Sequence, residues 1–206
     1  MVGNSAGRSA PSNPMAGLVP TLALVPRSAR WVMPTFASAF RGTDASTLEP
    51  RLRTLAIMRV CAVDRAPYWR TQFERSAPAL GISDDEMRII GSEEWETAPA
   101  FSDRERAAIT WADRVAKRLA RSDGAAYRLV QTHCTIEEIV ELTAIASLAA
   151  MATRITNALR IAPEPAIGLT AAGGAMDAQA WQRQMFDEGL PSSWAETVGG
   201  QAQEPG

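Results

Sequence analysis

LEPRLRTLAIMRVCAVDRAPYWRTQFERSAPALGI, residues 48–82, decides the fold. From Pro50 to Val63 it is apolar on nearly every face. Leu52, Leu55, Ala56, Ile57, Met58, Val60 and Cys61 leave no polar stripe, which predicts a helix buried at the centre of the molecule. Pro50 suits the first turn, where its missing N–H would have no partner in any case. Asp64-Arg65-Ala66-Pro67 breaks the helix. A second helix is predicted from about Pro67 to Leu80, with Ala66, Trp69, Phe73, Ala77 and Leu80 on one face.

Outward from that pair the chain continues in helices. Ser83-x-x-Glu86, Ser102-x-x-Glu105 and Thr135-x-x-Glu138 each match a capping box, in which hydroxyl and carboxylate satisfy the first free N–H groups reciprocally. The helix predicted over 103–120 carries Ala107, Ala108, Trp111, Ala112, Val115 and Leu119 as one stripe. Arg104, Arg106, Asp113 and Arg114 are expected on its solvated face. Asp123-Gly124 turns into a short helix through Tyr127 and Val130. A long apolar helix over 136–159 is expected to lie against the first, with Glu137, Glu138 and Glu141 at its exposed start.

Upstream, Pro20, Pro26 and Pro34 punctuate a mixed pattern, read as a loop and then a helix over Ser28–Phe40. Residues 1–17, rich in Gly, Ser, Asn and Pro, read as a disordered arm. The helical domain is expected over 18–162. Residues 163–206 read as a Pro/Gly linker, a short helix capped by Asp177 with Trp181, Met185 and Phe186 on one side, and a tail. No alternating strand pattern of useful length occurs, so the fold class is all-α.

The 206 residues suit one domain with appended segments. A net charge of −2 gives no electrostatic reason to expect nucleic acid or anionic membrane. The longest apolar run, Leu142–Thr153, falls short of the roughly 20 residues that span a bilayer. Two distant cysteines, Cys61 and Cys134, with no signal peptide ahead of them, point to free thiols in a reducing cytoplasm.

The order RLRTLAIMRV, then YWRTQF and ALGIS, resembles the carboxymuconolactone decarboxylase/alkylhydroperoxidase D-like family. The resemblance continues through FSDRERAAITWADRVAKRLA (101–120) and HCTIEEIVELTAIASLAAMATRITNAL (133–159), covering about 50–162. It implies an all-helical bundle with two central buried helices and a homo-oligomer, as dimer, trimer or hexamer. Peroxidase-type members carry a glutamate on the first helix, then C-x-x-C and a histidine four residues later. Aligned through Gly81, those positions hold Thr54, Ala66, Trp69 and Phe73. A dithiol peroxidase needs a thiolate, a resolving thiol and a proton relay, and none stands there.

What remains is the polar content beside the vacated position. The resemblance implies a cavity at the break between the motif helices, often at a subunit contact. Trp69 and Phe73, with Trp31, would wall it, and Gln72, Arg59 and Thr54 would supply polar contacts, which suits a small organic ligand. Arg53 could hold a carboxylate or enolate, and Tyr68 or Asp64 could move a proton. The plainer reading makes Asp64 and Arg65 turn residues, Arg53 and Arg59 ion-pair formers, and Trp31 and Phe36 packing residues. Arg154 and Asn157 match the family pattern R-x-x-N-A-L, where structural cross-linking is the expected role. His133, the lone histidine, and the two thiols are expected to be structural.

No metal-ligand cluster or phosphate-binding loop occurs, and no cofactor is expected. The leading expectation is a cofactor-independent, non-redox enzyme of decarboxylase, lyase, isomerase or cyclase type. It would act on a small carbonyl- or carboxylate-bearing molecule. A non-catalytic binding or scaffold protein is the alternative, and residual peroxidase activity through Cys61 is a third reading.

Overall fold

The computed structural model describes residues 18–41, 46–161 and 163. The expectations for 1–17 and for the C-terminal helix lie outside the described residues. Two compact units are present, one of them Pro26–Pro163; the other contains α1, Leu18–Ala23, a short helix where a loop was expected. The larger unit holds α2 (Pro26–Arg41), α3 (Pro50–Val63), α4 (Pro67–Ser76), α5 (Asp84–Ile90), α6 (Asp103–Ala116), α7 (Gly124–His133) and α8 (Ile136–Ala158). Short 3-10 turns stand at Ala77–Leu80 and Glu94–Glu96. No strand occurs among the described residues, as the sequence predicts.

α3 is the axis. Ten consecutive residues, Leu52 to Cys61, are buried, and both α6 and α8 pack on it. α2 packs on α8 and α7 on α6. Pro34 lies inside α2 instead of ending it. The buried face of Ala29, Val32, Phe36 and Ala39 holds the helix against the bundle where propensity alone would break it. Ile90 at the end of α5, and Trp95 and Phe101 between α5 and α6, enter the core almost fully buried. By length and composition α8 could cross a membrane, but half of it is buried in the bundle.

All three capping boxes form as read, and Asp123 caps α7 through Ala126 N–H. All three capping carboxylates do more than cap. Arg51 reaches Glu86 and, at 2.7 Å, Glu105, tying the starts of α5 and α6 together. The exposed start expected for α8 holds for Glu137 and is corrected for Glu138 and Glu141. Glu138 is buried beside Arg104 at 2.6 Å, and Glu141 accepts from Thr47 and Leu48 N–H groups at 2.6 and 3.2 Å. α6 ends at Ala116, short of the expected 120, because Arg118 turns left-handed at φ +63°.

The solvated face expected for α6 is corrected too. Asp113 is wholly buried. It takes Arg59 Nε at 2.8 Å and Lys117 Nζ at 3.0 Å, and Arg114 closes on its second oxygen. Burial works to raise this carboxyl, but the hydrogen bonds and charges of Lys117 and Arg59 outweigh it and hold it below the ordinary carboxylate value.

Candidate functional site

The break between α3 and α4 is shaped by the backbone. Arg65 sits at φ +50°, its N–H bonds Ala62 O at 3.2 Å, and Ala66 N–H bonds Cys61 O at 2.9 Å. This is a Schellman ending with arginine where glycine is usual. Pro67 then opens α4 at its first turn. The turn is fastened to α8. Asp64 Oδ2 accepts from Thr153 Oγ1 at 2.6 Å and lies 3.3 Å from Arg154 Nε, while Asn157 Nδ2 donates to Asp64 O at 2.8 Å. Arg154 and Asn157 therefore cross-link two elements through one residue.

Behind this turn the rings gather. Trp69 stands 5.3 Å from Tyr68, 4.8 Å from Phe40 and 5.8 Å from Phe36, measured between ring centroids. Phe40 also meets Phe73 at 5.5 Å. Several of these contacts are edge-to-face, which aromatic quadrupoles favour. The structure thus brings together Tyr68, Trp69 and Phe73, with Ala66 buried beside them, and adds two rings from α2. In the sequence Phe36 and Phe40 read only as part of a packing pattern. Their spacing of four on one helix face was the available signal.

Trp69 Nε1 is buried, and it has no hydrogen-bond partner among the described residues. A buried donor left unmade costs about 1–3 kcal/mol, so this N–H is an unmet donor within a cluster of aromatic rings.

The other expected site residues lie elsewhere. Arg59 is buried under Trp95, 5.0 Å from its ring centroid. It also donates to Ser92 O at 2.9 Å and Glu93 at 2.7 Å besides Asp113. Its fork is engaged within the chain, which is the plainer of its two readings. Arg53 donates to Leu48 O at 3.0 Å and to Ser46, and lies 3.7 Å from Glu141. Thr54 is buried on α3, Gln72 is half-buried on α4, and Trp31 is 56% exposed on α2. A shallow cleft of about 430 Å³ lies next along α4, lined by Arg70, Arg75, Met87 and Arg88 among others, and by none of these rings.

Cys61 is buried against the turn. Burial pushes its thiol up to about 12, the charge of Asp64 adding to the effect and that of Arg70 opposing it. Cys134 is also buried and free, its thiol raised by burial and by Glu138. Among the described residues no cluster of His, Cys, Asp or Glu could hold a metal ion.

A helical hairpin around a buried α3, with the motif break packed on the last long helix, is the alkylhydroperoxidase D-like fold. Solved structures share it, among them the following two. One, from Agrobacterium tumefaciens, is a protein of unknown function proposed to be the antioxidant defence protein AhpD. It is 20% identical, aligns over 71% of this chain and 97% of its own, and superposes with a TM-score of 0.63. The other, an uncharacterized peroxidase-related protein from Silicibacter sp. TM1040, is 14% identical over 69% of this chain and 73% of its own, with a TM-score of 0.61. No family model matches the sequence, and no curated protein does. At these identities the likeness is one of fold, and chemistry must be argued from the residues.

Proposed function

We propose that this chain is a non-redox protein that takes a small carbonyl- or carboxylate-bearing organic molecule at the aromatic cluster and converts it without a cofactor. One observation carries the reading. The position that holds sulfur and imidazole in dithiol peroxidases holds an indole whose buried N–H lacks an acceptor. A ligand oxygen is the acceptor that would complete it, and the rings of Phe36, Phe40 and Phe73 suit an apolar or aromatic body. Tyr68, packed on Trp69, is the group assigned to move a proton in a lyase- or isomerase-type step. Asp64 positions the turn instead, since its carboxylate is engaged by Thr153 and Arg154. Dithiol chemistry has no support, because the one thiol nearby is buried and holds its proton to about pH 12.

Binding without turnover is the second reading. It is favoured by the engagement of Asp64 and Arg53, two of the three candidate catalytic groups, in bonds within the chain.

Tryptophan fluorescence during titration with benzoate, phenylpyruvate and an unsaturated γ-lactone tests the site. Trp69→Phe keeps a ring and removes the N–H, so affinity for the best of these probes is expected to fall about fivefold to tenfold. Tyr68→Phe is expected to bind normally and lose turnover. Retained turnover would move the assignment to binding or to another residue. Unchanged affinity in Trp69→Phe, or dithiol-dependent peroxide reduction lost in Cys61→Ser, would overturn the proposal.

A further inference from the structure

α4 and α5 each turn a charged face toward one cleft. On α4, Arg70 and Glu74, and Thr71 and Arg75, stand four residues apart and so share a face. On α5, Asp84, Met87 and Arg88 do the same at spacings of three and four. Together they line the cleft of about 430 Å³, a volume that suits a small molecule. Buried Met87 gives it an apolar wall, while Arg70 and Arg88 are exposed.

Three guanidiniums outnumber two carboxylates on these walls. Arg70 Nε donates to Glu74 Oε1 at 2.6 Å, which neutralises that carboxylate, fixes the fork and leaves both Nη groups for a further acceptor. Gly91, just past α5, keeps the space for this fork. A Cβ there would stand 3.3 Å from Arg70 Nη1, closer than side chains usually approach. Arg88 reaches Glu94 at 3.2 Å and Asp85 at 3.9 Å, but all three side chains are more than half exposed, so water and ligand compete for these pairs. Asp84 lies in the first turn of α5, where the helix dipole offsets part of its charge.

We infer that this cleft binds a small phosphate monoester, with its phosphoryl group among Arg70, Arg75 and Arg88 and its organic body against Met87. A phosphoryl group presents three terminal oxygens and about two negative charges at neutral pH, enough to engage forks from both helices. A carboxylate is planar, carries one charge and is satisfied by a single fork. Thr71 adds a hydroxyl donor on the same wall. The inference stands apart from the ligand assigned to Trp69, since none of the rings lines this cleft. The two sites do share α4, so a phosphate that ties α4 to α5 would hold the helix that carries Tyr68, Trp69 and Phe73.

The test is isothermal titration calorimetry on the full chain with glycerol 3-phosphate, inorganic phosphate, glycerol and succinate, with helix content followed by circular dichroism. Glycerol 3-phosphate is expected to bind, inorganic phosphate more weakly, and glycerol not at all. Succinate is expected to bind at least about tenfold more weakly than glycerol 3-phosphate. Arg88→Gln and Arg70→Lys are each expected to weaken glycerol 3-phosphate at least about tenfold with helix content unchanged, the second because lysine keeps the charge and loses the fork. Arg128 is exposed on α7 and outside the cleft, so Arg128→Gln is expected to bind as wild type does. No binding of glycerol 3-phosphate, or equally tight binding of succinate or inorganic phosphate, would overturn the proposal. So would affinity unchanged in both cleft variants, or lowered as far by Arg128→Gln as by either of them.

Discussion

Arginine occupies places in this chain where other residues are usual. α3, α6 and α8 all end in the same left-handed turn, at Arg65, Arg118 and Arg160, with φ of +50°, +63° and +53°. Each makes the paired bonds of the Schellman motif, for example Leu119 N–H to Arg114 O at 2.7 Å and Ile161 N–H to Thr156 O at 2.9 Å. Among the described residues, only the turn after Ala77–Leu80 uses glycine, Gly81 at φ +68°. Left-handed backbone costs a residue with a Cβ about 1–2 kcal/mol, and glycine's freedom in the unfolded chain offsets about half of that. Arg65→Gly is therefore expected to raise stability by about 0.5 kcal/mol. Gly81→Ala should lower it by about 1 kcal/mol, although a Cβ there meets open space. Urea midpoints measure both. A fall on Arg65→Gly would show that its side chain contributes more than its backbone costs.

At the scale of elements, α3 and α6 are joined by charge as well as by packing. Arg59 and Asp113 are both buried, and each has partners enough that neither stands alone. Removing one partner of such a pair strands the other, which costs more than replacing both with apolar residues. Arg59→Met is expected to lower stability by about 3 kcal/mol, the low end of the usual range because Lys117 and Arg114 remain on Asp113. Arg59→Met/Asp113→Leu should recover most of the loss in the same denaturation experiment. If the double variant is no better than the single, the network holds the helices by more than mutual neutralisation. Asp113 was legible only as a polar residue on α6. Its partner lies 54 positions away, and no local pattern reports that pairing.

The whole molecule should feel these carboxylates in acid. Asp113 is held below its ordinary value against its own burial. Burial also pushes Glu86 and Glu105 upward, but Arg51 with the N–H and hydroxyl of Ser83 holds Glu86 down, and the Ser102 N–H, Arg51 and the Ser102 hydroxyl hold Glu105 down. A depressed folded pKa gives stability that is complete above the unfolded value and lost as pH falls through the folded one. The thermal midpoint is thus expected to be level from neutrality to about pH 5 and to drop below about pH 4, near the unfolded carboxylate values. Asp113→Asn, though less stable at neutral pH, should show a shallower drop. An equally steep one would place the acid sensitivity elsewhere.

By itself the sequence determined the helices, their capped starts and the buried axis. Those follow from periodicity and from hydroxyl–carboxylate pairs three residues apart, which are local physics. It also determined what is missing, since Ala66, Trp69 and Phe73 cannot carry dithiol chemistry wherever they point. The tertiary structure alone decided which polar residues are engaged and which are open. Arg59, Arg53 and Asp64 read as site residues until Asp113, Leu48, Thr153 and Arg154 were brought to them across the bundle. The unmet donor at Trp69 and the arginine-lined cleft arise in the same way. Whether a donor finds an acceptor, or a charged helix face a second one across a cleft, depends on what other segments place beside it.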